Sequence, residues 1–380
     1  MCSETRPNAK PETVSGKFNT HRTDIAKLKR QHIMIRPLTI LFFFLTLSFG
    51  QSVAQTNTTD RNVKIKIPKE WIDKLRNFDY KQNNLTLLTQ FESFIKPDSL
   101  AGSKAFSHED GGILNPMFVN LDNDQTDELI GLFGWSEENP TLAVFKMIDK
   151  DWYLLYLEPF YMFYNSPELQ VANNFSINKT FYIRWLYERG SGIYCDAYHF
   201  YKLIDNKVYP CLALINRAHI LGWGLYLNQV VEMKFKFNCA NADELWVTYD
   251  YNFFPGAVYE NDVSWEGHEE ISFVKGDNGL SYRWDTTTFT YRPHIYNSPD
   301  DLNEEKISCF GAFGNDTLFV RAFDYEIKQT LDKGTEEQKK LLQKYLDIVK
   351  IDQKAVAPTG EMEEKAKIGG LKFYGTKQKK

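Results

Sequence analysis

Between Thr180 and Tyr251 the chain reads as one strand after another, and this stretch limits the fold more than any other. Thr180–Tyr187 is densely apolar, Gly190-Ser191-Gly192 interrupts it, and Ile193–Ile204 resumes through Tyr194, Ala197, Tyr198 and Phe200. Asp205-Asn206 has the composition of a two-residue hairpin turn leading into a strand over 207–215. Over Leu225–Phe237, apolar residues alternate from Val231 through Met233, Phe235 and Phe237, the pattern of a strand with one buried face. Hairpin-linked strands of this kind predict a mainly β fold of propeller-like or meandering antiparallel sheets; the alternative is an α+β fold with one curved sheet. The chain carries 28 Phe, 21 Tyr and 8 Trp, which suits a β-rich core because aromatic side chains favour strands. The same excess would also suit a sugar-stacking surface.

Around this centre, Val63–Ile67 alternates as a short strand and Pro68 opens a predicted helix over Lys69–Phe78, with Trp71, Leu75 and Phe78 on one face. A second helix is expected over Leu85–Ile95. Leu142–Ile148 and Trp152–Leu157 form a hairpin across Asp149-Lys150-Asp151. Further strands are expected at Leu280–Trp284, Phe289–Arg292 and Thr317–Phe323. Thr335–Lys350 is the clearest helix, with Thr335 and Gln338 spaced as a capping box and Leu341, Leu342, Tyr345, Leu346 and Val349 on one stripe. One domain over residues 55–350 is expected, followed by a charged tail over 351–380.

The segment Phe118–Gly134 combines two short apolar strands with a cluster of oxygen ligands between them: Asn120, Asp122, Asp124, Asp127 and Glu128. Hard divalent cations need several oxygens at once, and side-chain oxygens at alternate positions can wrap one calcium ion. The loop resembles the D-x-D-G-D-G-x-x-[DE]-L loop of the FG-GAP and VCBS repeat families, found in calcium-bearing propeller blades. It departs from them in placing Asn120 for an acid and Asn123 and Gln125 for glycines. The resemblance implies a calcium site at Asp122, Asp124 and Glu128, completed by Asn120 and the carbonyl of Thr126. The other reading is an Asx-rich hairpin turn that needs no ion. Asp243-Glu-Leu-Trp echoes Asp127-Glu-Leu-Ile, and Asn315-Asp-Thr-Leu is a fainter echo, as in a reused loop-then-strand unit.

Residues 1–54 read as a leader. An apolar run over 38–49 follows Arg36 and precedes Ser52-Val53-Ala54, a small-x-small cleavage site, and Met34 is placed to start a signal of ordinary length. An uncleaved N-terminal anchor is the alternative. Of the 45 Lys or Arg and 50 Asp or Glu, eight and three lie in 1–54, so the mature chain carries 37 and 47, a net of −10. That charge argues against nucleic acid as a partner. The apolar run is short for a bilayer, so no membrane span is expected in the mature chain. Export to the periplasm or beyond follows, and the Asn-, Lys-, Phe- and Tyr-rich chain behind a Phe-rich signal is similar to exported proteins of the Bacteroidetes group.

Cys195, Cys211, Cys239 and Cys309 would then meet an oxidising compartment. Continued register from the Asp205-Asn206 turn sets Cys195 opposite Asn216 and Cys211 opposite Phe200, which disfavours a Cys195–Cys211 bridge. No catalytic residues are assigned. Gly190-Ser191-Gly192 lacks a nucleophile-elbow setting, and His268-Glu269-Glu270 lacks the second histidine of a zincin motif. His199, His219 and His294 are scattered among aromatics. The function expected is an exported, non-enzymatic binding or cell-envelope interaction protein, stabilised by calcium, with a glycan or an envelope protein as partner. The alternative is a carbohydrate-active hydrolase drawing a carboxylate pair from Glu158, Glu188, Glu266 and Asp285 in an aromatic cleft.

Overall fold

A computed structural model describes residues 61–77, 85–95, 113–134, 140–160, 169–172, 178–190, 192–222, 225–238, 243–256, 270–294, 298, 301–312 and 314–355. The leader, the tail beyond 355, Cys239, Glu266, His268 and Glu269 lie outside them, as does the Glu188 side chain.

Among the described residues, thirteen strands form two antiparallel sheets, flanked by six helices. The first holds β1 (Asn62–Ile67), β2 (Ile113–Val119), β3 (Glu128–Gly134), β4 (Thr141–Ile148) and β5 (Asp151–Pro159), in the order β1-β5-β4-β3-β2. The second holds β6 (Gln170–Val171), β7 (Thr180–Gly190), β8 (Ile193–Ile204), β9 (Lys207–Ile220), β10 (Leu227–Phe237), β11 (Glu244–Pro255), β12 (Val274–Asp285) and β13 (Thr290–Pro293). These eight strands lie side by side in sequence order, so the sheet is an uninterrupted meander. Of the expected β architectures, the meandering one is found. Two helices, α1 (Lys69–Arg76) and α2 (Leu85–Phe94), precede β2, and four follow β13: α3 (Glu304–Ile307), α4 (Asp316–Ala322), α5 (Asp324–Lys333) and α6 (Glu336–Ala355).

Three apolar clusters stack these elements as helix, sheet, sheet, helix. Trp71 of α1 packs on Phe91 of α2 at 5.8 Å and on Phe133 and Phe145 of the first sheet at 5.9 and 5.6 Å. The other face of that sheet (Ile130, Leu132, Leu142, Val144) meets Phe181, Ile183, Tyr201 and Leu203 of the second. With both faces covered, β3 is buried along its whole length, which is why its sequence after Glu128 is continuously apolar instead of alternating. The inter-sheet layer is also bridged by polar groups. Asn62 Nδ2 donates to the Val208 carbonyl at 3.2 Å, and the Val208 N–H donates to Asn62 Oδ1 at 2.8 Å.

The C-terminal helices cover the other face of the second sheet. Phe253 lies 4.8 Å from Phe319 and 5.2 Å from Phe323, and Tyr345 O–H donates to Asp316 Oδ1 at 2.7 Å. Gln229 of β10 fastens the segment before α4, accepting from the Gly311 N–H at 2.9 Å and donating to the Ala312 carbonyl. Beyond this cover β10 and β11 alternate buried and exposed, since their second face meets water.

The strand expected at Thr317–Phe323 is helix α4. Its β-favouring Thr, Leu, Phe and Val suggest a strand, but Phe319, Ala322 and Phe323 are the residues that must be buried together, and only helical spacing brings them to one face. The echo at Asn315 is therefore a helix start, whereas Glu128 and Glu244 each open a strand. Helix α6 carries the predicted box: Thr335 N–H donates to Gln338 Oε1 at 2.8 Å and Gln338 N–H to Thr335 Oγ1 at 3.2 Å. It runs to Ala355, beyond the expected end at Lys350. The Asp205-Asn206 turn has both central residues at positive φ, as a type I′ turn requires. Bulges then shift the β8–β9 register twice, so Cys195 opposes Ala218, not Asn216, and Cys211 sits in the bulge with its thiol on the Phe200 carbonyl at 3.2 Å.

Candidate functional site: the acidic hairpin loop

The β2–β3 hairpin closes at the pair Val119–Glu128, which leaves 120–127 as the connecting loop. Its shape comes from side chains bonding to nearby backbone. Asn120 Nδ2 donates to the Asp124 carbonyl at 2.6 Å, and Asp124 Oδ1 accepts from the Thr126 N–H at 2.6 Å and its hydroxyl at 2.8 Å, an Asx turn. Asn123 takes the left-handed conformation at φ 61°, which asparagine tolerates better than most residues. Leu121 points inward as a fully buried anchor; its N–H donates to Glu128 Oε2 and its carbonyl accepts from Lys179 N–H, each at 2.7 Å. Asp127 is exposed.

Asp122, Asp124 and Glu128 are brought together, with one carboxylate oxygen from each within 4.8 Å of the others. Lys146 of β4 meets all three. Its Nζ lies 2.7 Å from Asp124 Oδ2 and 2.8 Å from Glu128 Oε1, and it also bonds Asp122 Oδ2. This follows from register: β3 and β4 pair Leu129 with Phe145, so one step further Glu128 lies opposite Lys146. Glu128 is 0 % exposed and Lys146 6 %. An ammonium has three donors, and here each has a carboxylate acceptor.

The charges respond to one another. Burial alone would push the Lys146 ammonium down, but its bonds to Asp122, Asp124 and Glu128 hold it above the ordinary lysine range. Burial pushes Asp124 up, and hydrogen bonds from Lys146 and Thr126 outweigh it and keep that carboxyl low. For Glu128 burial is the larger influence and leaves the carboxyl above its usual range. Two loop acceptors are buried without a partner, Asn120 Oδ1 and Asp122 Oδ1.

Of the other candidate acids, the two whose side chains are described, Glu158 and Asp285, lie apart from this group. Glu158 lies in the inter-sheet layer, its Oε2 accepting from Tyr156 O–H at 2.7 Å and Tyr201 O–H at 2.9 Å, with Arg61 Nε 3.3 Å from Oε1. Asp285 opens the β12–β13 turn, where hydrogen bonds from Thr287 and Thr288 and the Arg292 guanidinium at 2.9 Å hold its carboxyl down to about 2. His199 stacks on Trp185 at 3.8 Å, and Tyr187 O–H meets its Nε2; burial lowers the imidazole to about 3. His219 Nε2 lies 3.4 Å from Glu232 Oε1 on the sheet surface.

Sequence reasoning missed Lys146. The available signal was a single charge inside an otherwise apolar strand, Thr-Leu-Ala-Val-Phe-Lys-Met-Ile, which requires a buried partner. Lys202 and Lys306, each 1 % exposed, are likewise buried against an acid: Lys202 Nζ lies 3.1 Å from Asp243 and over the Trp284 ring, and Lys306 Nζ lies 2.6 Å from Glu326. Among the described residues no helix is long and apolar enough to cross a membrane. No family model, no curated protein and no solved structure matches the chain.

Proposed function

We propose that the chain is an exported, non-enzymatic glycan-binding protein of the cell envelope. The export half of this reading rests on the signal-like leader. The binding half rests on Trp246, which is 41 % exposed on the water-facing side of β11. Register sets Trp246 between Lys236 of β10 and Ser281 of β12, and Thr248 between Lys234 and Gly279. Gly279 adds no side chain beside Thr248, so a low step borders the indole. An exposed indole beside the exposed Lys236 offers a flat apolar face with a hydrogen-bond donor at its edge. Lys234 and Lys236 are exposed in the same rows, and Glu232, Asp250 and Asp277 fill the next row of the face, so the patch carries both charges and the favoured ligand is a polysaccharide that stacks a sugar on the indole. The engagement of Glu158 and Asp285 with separate partners supports binding over hydrolysis.

The test is retention of residues 55–380 on an array of acidic and neutral envelope polysaccharides. Wild type should be retained on at least one polysaccharide without releasing reducing sugar, and Trp246→Ala should lose at least ~10-fold in affinity, about 1.4 kcal/mol, with an unchanged melting midpoint. Equal retention of Trp246→Ala would remove this face as the site; no retention of wild type on any glycan would overturn the reading.

A further inference from the structure

We infer that Lys146 is the resident cation of the acidic loop: its ammonium takes the place that a divalent ion would hold among Asp122, Asp124 and Glu128, so the loop is ordered without metal. Three observations carry this beyond the proposed glycan function.

The first is an inventory of oxygens. Calcium needs six to eight oxygen ligands at about 2.3–2.6 Å. One oxygen each of Asp122, Asp124 and Glu128 is bonded to Lys146; the second oxygen of Asp124 is held by Thr126 and that of Glu128 by Leu121. Only Asn120 Oδ1 and Asp122 Oδ1 remain among these side-chain oxygens, too few for a calcium shell beside the ammonium. The second is burial. An ion entering between the carboxylates would have to expel an ammonium that is 6 % exposed, or sit beside it as a like charge in a poorly solvated place. The third is tethering: β4 delivers the cation in register with Glu128, so the loop has its counter-charge at any metal concentration.

The consequence reaches the layer between the sheets. The Lys146-bound loop keeps Leu121 inward, and the Leu121 carbonyl holds the Lys179 N–H just before β7. The loop thereby joins the edge of the first sheet to the second.

Thermal melts and calcium titration calorimetry of residues 55–380 test the inference, comparing wild type with Lys146→Met in calcium and in chelator. Wild type should melt at one temperature in both conditions and give no binding heat at millimolar calcium. Lys146→Met leaves three carboxylates without their cation; it should melt lower in chelator and recover at least about 3 °C with calcium. A wild-type midpoint that rises with calcium, or wild-type binding with Kd below ~1 mM, would overturn the inference. So would a Lys146→Met variant as stable as wild type and indifferent to calcium. If Lys146→Met folds only when calcium is present, the inference stands. If it folds in neither condition, the wild-type titration decides alone.

Discussion

His199 shows how one side chain ties the aromatic content to a measurable property. Its ring lies against Trp185 and its Nε2 shares a hydrogen bond with the Tyr187 hydroxyl, and burial makes the neutral imidazole the form that packs. Burial lowers its titration to about 3 in the folded chain, while the unfolded chain protonates near the ordinary value of 6.5. Between those values the unfolded state binds the extra proton, so stability present above pH 6.5 is lost as pH falls toward 3. The limiting slope is ~1.4 kcal/mol per pH unit, and the partial exposure of the residue keeps the real one smaller. His199→Phe retains an aromatic ring and removes the titration. Urea unfolding at pH 7, 6, 5 and 4 should therefore show wild type losing stability faster than the variant, and parallel losses would contradict this placement of the ring. The histidine was visible in the sequence as one residue among aromatics. Its stacking partner was not, because Trp185 reaches it across the β7–β8 pairing.

At the scale of elements, local signals were read correctly where they act locally. The Asp205-Asn206 turn fixes its hairpin through left-handed conformations at both residues; the hairpin expected across Asp149-Lys150-Asp151 turns on Asp149 and Lys150 alone, with Asp151 already paired to Ile148. The bulges were not legible: a bulge relieves strain between whole strands, and no residue type marks it. Helix α4 was missed for a related reason, since tertiary burial of Phe319 and Phe323 overrides the β preference of their neighbours. Helix α6 was read from its capping box, and the structure gives that box a second task. Gln338 Nε2 donates to the Ser272 carbonyl at 3.0 Å just before β12, so one side chain both caps the helix and docks it. Thr335→Ala should cost about 1 kcal/mol, the ordinary value for a lost cap. Gln338→Ala should cost more, about 1.5–2.5 kcal/mol, because a backbone acceptor also loses its donor. Denaturant unfolding checks the order, and a Gln338→Ala loss smaller than that of Thr335→Ala would contradict the docking role.

For the whole molecule, the layering explains why the acidic loop is built as it is. Two sheets and two helical layers produce three apolar interiors, and the first sheet, the second sheet and the C-terminal helical cover each hold a buried lysine with an acidic partner: Lys146, Lys202 and Lys306. The sequence announced a mainly β chain and a strand, acidic loop, strand unit, and both are present. It could not announce which strand lies beside the loop, because β3–β4 pairing places Lys146 and only the folded register shows it. A loop read from its own residues looks like an ion site; read with its neighbour it is already neutralised in part. The most direct measurement is a crystal structure of residues 55–380 grown in calcium chloride, with anomalous scattering recorded at a wavelength sensitive to calcium. The Lys146 ammonium should lie among Asp122, Asp124 and Glu128 with no anomalous peak between them. A peak there, ringed by oxygens at about 2.3–2.6 Å with Lys146 turned away, would show that the loop takes its cation from solution.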